Sequence, residues 1–314
     1  MRRSAVLALL PALASSGCIP VMLNRPSQIE YTENDVPPIE RLGRWDGAAF
    51  LSVEAGSVEP TRVHVIVHGW APGWHRDGHP PSEPAWAGES YRRPFDPWMH
   101  ELAAALRERD PHAAVLVYSW IDDAATSSSP LAQRRAYART SEHGRRLAAG
   151  LEAALHPRFR EVGGQIHLIG HSFGARVAAT AAAELPAPPR HLTVLDAPDA
   201  GYVALFNTRA GLPALLRRLP LGTRPGETFV DNYISAVGTD YRFLEGLEGV
   251  VDVRTTPPLG AFELGRRHIY AAEFYARTAD TGFGIGWSPL LRGTPPRGCF
   301  TQPYDELELV PLCG

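Results

Sequence analysis

The chain has no lysine; all 31 basic residues among its 314 are arginine. That is a bias of composition and not a functional device. Net charge is also small, −3 with neutral histidines, so there is no electrostatic footprint of a nucleic-acid partner. Cysteine is scarce, with three residues, which excludes a cysteine-rich metal module. No apolar run beyond the N-terminus is long enough to span a bilayer. No internal repeat or second domain is visible. What remains is 44% hydrophobic and 21% charged, enough for an ordinary globular core.

Residues 1–18 read as a targeting segment. Arg2 and Arg3 supply positive charge, and Ala5 to Ala14 form a short apolar run broken by Pro11. Such a run is too short for a transmembrane helix and reads as a secretory signal. Ser15, Ser16 and Gly17 before Cys18 resemble the lipobox of bacterial lipoproteins, although Ser15 stands where an aliphatic residue is commoner. The resemblance implies lipidation of Cys18. The protein would then be exported and held at the cell envelope by lipid alone, on the outer membrane if the cell is Gram-negative. Ordinary cleavage, with Cys18 incidental, is the alternative. With Cys18 set aside, Cys299 and Cys313 form an even pair in an oxidising compartment. A bridge between them would close a short loop and contribute about 3 kcal/mol in the chain-entropy picture.

Residues 19–45 hold Pro20, Pro26, Pro37 and Pro38 without periodicity and read as a tether and lead-in. From residue 46 to 314 one domain is expected, with strands and helices alternating. Strands are predicted at 63–67, 114–119, 165–169, 191–195, 229–235 and 248–254. Helices are predicted at 97–108, 131–155, 173–184 and 268–278. That alternation predicts a mainly parallel sheet covered on both faces.

The strongest local signal is Gly170-His171-Ser172-Phe173-Gly174. A serine exposed at the end of a strand needs a very sharp turn, and flanking glycines permit the crowded backbone. The five-residue pattern alone arises by chance in about one chain in ten of this length; its strand-turn-helix setting makes it specific. A serine hydroxyl needs a base, and the base an acid to orient it. In this arrangement acid and histidine follow the serine in that order. Downstream lie only His191 and His268. His191 opens a strand at the end away from the site, so His268 is the natural base. Asp196, at the C-terminal end of its strand, is the favoured acid, and Asp240 is its main rival; Asp199 and Asp231 are further candidates. Oxyanion donors are expected from the N–H groups of Phe173 and of Trp70, in the His68-Gly69-Trp70 loop. His68 reads as structural.

His64 to Trp70, Val115 to Trp120 and His167 to Ala175 together resemble the pancreatic-lipase-like group. That group's elbow is Gly-His-Ser-Leu-Gly-Ala and its acid lies in a Leu-Asp-Pro stretch. Here Val194-Leu195-Asp196-Ala197-Pro198 follows Ser172 by 24 residues, a separation that matches the group. The similarity covers roughly residues 45 to 280. It implies the α/β-hydrolase fold and a Ser172-Asp196-His268 triad acting on carboxylic esters, with no cofactor. The sequence departs from the group at Ala197, and it lacks both the long cysteine-bounded lid before His268 and a C-terminal lipid-binding domain. Activity on dispersed esters without interfacial activation is therefore expected, unless the Trp-bearing stretch from Pro72 to Asp96 covers the site. An acyltransferase or amidase with the same triad, and a non-catalytic envelope binding protein, stand as alternatives. A metal site at His64, His68, His75 and His79 is disfavoured, because His64 and His68 lie about 13 Å apart along a strand.

Overall fold

The computed structural model describes residues 36–58, 61–70, 96–124, 129–155, 165–198, 211–258, 264–303 and 306–313. Cys18, Asp199 and most of the Pro72–Asp96 stretch lie outside them. Five short, largely buried strands make the parallel centre of one sheet: β3 (Val63–Val67), β5 (Ile166–His171), β6 (His191–Leu195), β7 (Phe229–Ile234) and β8 (Val250–Arg254). β4 (Ala114–Tyr118) joins them on the far side of β3. β1 (Leu42–Trp45) and β2 (Phe50–Ser52) form one edge, β9 (Cys299–Thr301) and β10 (Val310–Cys313) the other. The order is β10-β9-β8-β7-β6-β5-β3-β4-β1-β2. The pairs from β4 to β9 are parallel, and antiparallel pairing is confined to the edges.

Strands buried on both faces read as continuous apolar runs, and β3 shows the reason. Val63, Val65 and Val67 pack into one core, which holds Leu147, Leu151, Val177 and Ala181. Ile66 turns to the other, with Met99, Leu102, Tyr270 and Phe274. The first core is closed by helices α2 (Pro130–Leu155) and α3 (Phe173–Glu184), the second by α1 (Asp96–Arg109) and α4 (Leu264–Arg277). With helices on both faces, an antiparallel edge and a strand-turn-helix at Ser172, the architecture is the α/β-hydrolase fold.

The domain begins earlier than its sequence suggests. Pro38–Arg41 is a 3₁₀ turn and Leu42–Trp45 pairs with β4, so the sheet already includes Leu42 to Trp45, the end of the stretch read as a lead-in. Leu42 is buried, but a four-residue strand behind two prolines leaves no periodic signal. The hairpin of β9 and β10 was equally hidden. There Cys299 is disulfide-bonded, and the strand register sets Cys313 opposite it.

Candidate active site

The strand order reverses between β3 and β5: β3 leads outward to β4 on one side, β5 to β6 on the other. A crevice opens at the C-terminal ends of strands at such a point, and there the structure gathers the candidate residues. Ser172 follows β5 directly and N-caps α3 with φ 57 and ψ −127, a strained conformation for a residue with a side chain. The crowding around it explains the glycines. A Cβ on Gly170 would lie 2.4 Å from the Ala175 Cα, and one on Gly174 would lie 2.3 Å from the His68 carbonyl oxygen. Gly69 sits against the serine itself, since a Cβ there would be 2.7 Å from the Ser172 Cβ.

The loop after β3 is held by its neighbour. His68 Nδ1 donates to the Gly69 carbonyl at 2.8 Å, and its Nε2 accepts from the Trp120 N–H at 3.1 Å. The Trp120 indole N–H returns to the His68 carbonyl at 2.7 Å. Burial holds the His68 imidazole down at about 4, so it is a neutral strut. Trp70 reaches past the elbow and stacks on Phe173, with ring centroids 6.0 Å apart.

Asp196 follows β6 at once, with φ 48, and is completely buried. Its Oδ1 accepts the N–H groups of Ser235, Ala236 and Gly238 at 2.7, 3.0 and 2.8 Å, and Val237 donates to Oδ2 at 3.1 Å. Oδ2 also receives His268 Nδ1 at 2.6 Å. A carboxylate can only accept, so Nδ1 carries a hydrogen, and in the neutral ring this tautomer leaves the Nε2 lone pair free to act as a base. Burial alone would raise the Asp196 pKa. The His268 hydrogen bond and charge, with the loop N–H groups, outweigh it and hold the carboxyl at about 2. His268 stands near the start of α4, with a partly exposed side chain.

The other candidates lie elsewhere. Asp240 caps the helical turn Tyr241–Glu245 by accepting the Phe243 N–H, and it pairs with Arg254 at 2.7 Å. Asp231 and His191 bond each other at 3.0 Å near the N-terminal ends of their strands. His64 bonds His167 and Asp110 at 3.1 and 3.4 Å. Among the described residues, no group of three or more histidine, cysteine or acidic side chains is arranged to hold a metal ion. Sequence reasoning missed the 235–238 cradle of Asp196 and the role of Gly238, whose Cβ would come 2.7 Å from Asp196 Oδ1. The lone glycine after β7 was the only local signal, and nothing local names its partner.

No protein-family profile matches the chain. Among solved structures it is similar to a dienelactone hydrolase-like promiscuous phosphotriesterase from metagenomic libraries. The identity is 16%, the match covers 69% of this chain and 81% of that one, and the TM-score is 0.35. It is also similar to Est1E from Butyrivibrio proteoclasticus, at 13% identity over 75% of this chain and 98% of the other, with a TM-score of 0.33.

Proposed function

We propose that this protein is a serine hydrolase of carboxylic esters, with Ser172 as nucleophile, His268 as base and Asp196 as the acid that orients it. The observation that carries the reading is the Asp196–His268 bond of 2.6 Å at the strand ends where Ser172 stands in a strained elbow. His268 Nε2 takes the Ser172 proton as Oγ attacks the acyl carbon. The N–H groups of Phe173 and Trp70 receive the oxyanion. The proton then passes to the leaving alcohol, and water, activated by the same His268, clears the acyl-enzyme. These steps need no cofactor.

The acid's place directly after β6, 24 residues from Ser172, supports a narrower kinship with the pancreatic-lipase-like group. We place the protein at the cell envelope, anchored through a lipid on Cys18. Among the described residues no helix is long and apolar enough to cross a membrane.

A fluorophosphonate probe should label the purified protein at Ser172, and Ser172→Ala should lose both labelling and hydrolysis of p-nitrophenyl esters by 10³-fold or more, roughly the triad scale. A protein that binds esters but neither labels nor turns over would be the non-catalytic alternative. Retention of a tenth of the activity in Ser172→Ala would remove the nucleophile.

A further inference from the structure

The residue before Ser172 has work that the reaction scheme leaves unassigned. His171 is the last residue of β5 and 3% exposed. Its Nε2 lies 3.1 Å from the main-chain carbonyl oxygen of His268. A carbonyl only accepts, so Nε2 carries the hydrogen. The two imidazoles lie 4.5 Å apart, centroid to centroid, and inclined at 41°. Trp98, on α1, also lies against the His171 ring, with centroids 5.4 Å apart. The opposite nitrogen, Nδ1, is buried without a hydrogen-bond partner among the described residues. It faces the Gly69 turn, where a Cβ would come within 3.2 Å.

His171 thus joins two parts that no secondary-structure ladder joins. Through its peptide bond it is continuous with Ser172. Through Nε2–H it grips the backbone of the residue that must reach the serine. The Asp196 bond sets the tautomer of His268 and one end of its ring, but it leaves the height of α4 above the elbow to packing. We propose that His171 is a positioning residue that seats His268 over Ser172 by holding its main-chain carbonyl. The inference rests on the serine-hydrolase reading above. It requires His171 to stay neutral, because His268 becomes cationic during turnover and a second cation 4.5 Å away would oppose it. Burial, followed by the charge of His268, holds the His171 imidazole down at about 3.

The test separates the donor from the ring. His171→Phe keeps an aromatic ring in contact with Trp98 and His268 but has no donor, and His171→Leu removes both. His171→Gln places an amide N–H near the position of Nε2. With p-nitrophenyl acetate, kcat of His171→Phe should fall on the order of 10- to 100-fold, the scale of a small misplacement, while KM moves by less than about threefold. Fluorophosphonate labelling of Ser172 should slow in parallel. The midpoint of urea unfolding should stay close to wild type. His171→Gln should recover most of both rates. A folded His171→Phe with wild-type kcat overturns the inference, as does a His171→Gln as slow as His171→Phe. A His171→Gln as inactive as Ser172→Ala would give the imidazole a chemical role instead. If neither donor-less variant folds while His171→Gln folds and works, the contact is structural and the inference falls. Wild type that does not label would remove the hydrolase reading, and this inference with it. Labelled wild type beside an unimpaired His171→Phe removes this inference alone.

Discussion

Two non-glycine residues of the site carry positive φ, Ser172 and Asp196, each immediately beyond a parallel strand. The strain serves to aim a side chain back across the strand ends. It also makes substitution at Asp196 informative. Asparagine tolerates left-handed backbone better than other residues with a side chain, so Asp196→Asn changes the charge and leaves the turn. We expect a loss on the order of 10⁴ in kcat, from a wrongly held tautomer of His268. Asp240→Asn should cost far less, because Asp240 is engaged by Phe243 and Arg254. A reversal of the two effects on p-nitrophenyl ester hydrolysis would move the acid to Asp240. Gly238→Ala makes a second residue-level test. Its Cβ would press on Asp196 Oδ1 at 2.7 Å, so kcat should fall without any change to the triad residues themselves. Wild-type kcat in that variant would show that the cradle can shift without consequence.

At the scale of elements, the elbow is only as fixed as the helix behind it. Helix α3 lies close on α2, and the approach depends on Gly144, where a Cβ would fall 2.3 Å from the Thr180 Cβ and 2.8 Å from the Val177 carbonyl oxygen. Both are rigid parts of the neighbouring helix, so the helices must separate. Gly144→Val should therefore destabilise the fold by about 1–3 kcal/mol, the usual cost of overpacking, read as a lower urea midpoint. Because Ser172 is the N-cap of α3, the folded fraction should also turn over more slowly. An unchanged midpoint would mean that this helix pair is not tightly packed.

For the whole molecule, the informative feature is its store of buried neutral histidines. His64 and His167 face each other across β3 and β5, with Nδ1 atoms 3.1 Å apart, and His167 stacks on His191 of β6 at 3.8 Å. His143 bridges the Tyr118 hydroxyl and Asp123 at 3.0 and 2.9 Å. Burial lowers the pKa of His64, His68, His143, His167 and His171 below the ordinary 6.5. For a base with a depressed folded pKa, the unfolded chain binds the extra proton below 6.5. Stability is thus full above pH 6.5 and falls as pH drops below it, by up to about 1.4 kcal/mol per pH unit for each group. Asp252 has the opposite sign. Burial, with Asp240 beside it, pushes its carboxyl up to about 7, so its contribution is full below 3.8 and lost as pH rises through 7. The histidines outnumber it. The melting temperature should drop steeply between pH 6.5 and 5, with uptake of more than one proton per molecule unfolded. A flat profile over that interval would contradict the burial of these rings as neutral groups. A separate prediction concerns the chain's start, outside the described residues. Cys18→Ser should release the protein from the membrane fraction or leave it unprocessed, and unchanged fractionation with normal cleavage would exclude the lipid anchor.

What the sequence determined by itself is local and periodic. Val63–Val67, His191–Leu195 and the helix from Phe173 to Glu184 were legible to the residue, because a doubly buried strand and a small-residue helix each leave a continuous pattern. The glycines around Ser172 announced the elbow, since crowding there is decided within five residues. Other features depended on residues far apart in the chain. Leu42–Trp45 is a strand only because β4 offers it an edge. The 235–238 loop turns its N–H groups inward only because Asp196 stands there with a charge to be satisfied. The choice of Asp196 over Asp240 as partner of His268 belongs to the same kind. Both aspartates suit the order along the chain, and only the folded sheet brings Asp196 to 2.6 Å from His268 Nδ1. Strands, helices and the elbow follow from short-range sterics and burial. Which acid meets which base is decided by strand order, and that becomes definite only when the whole sheet closes.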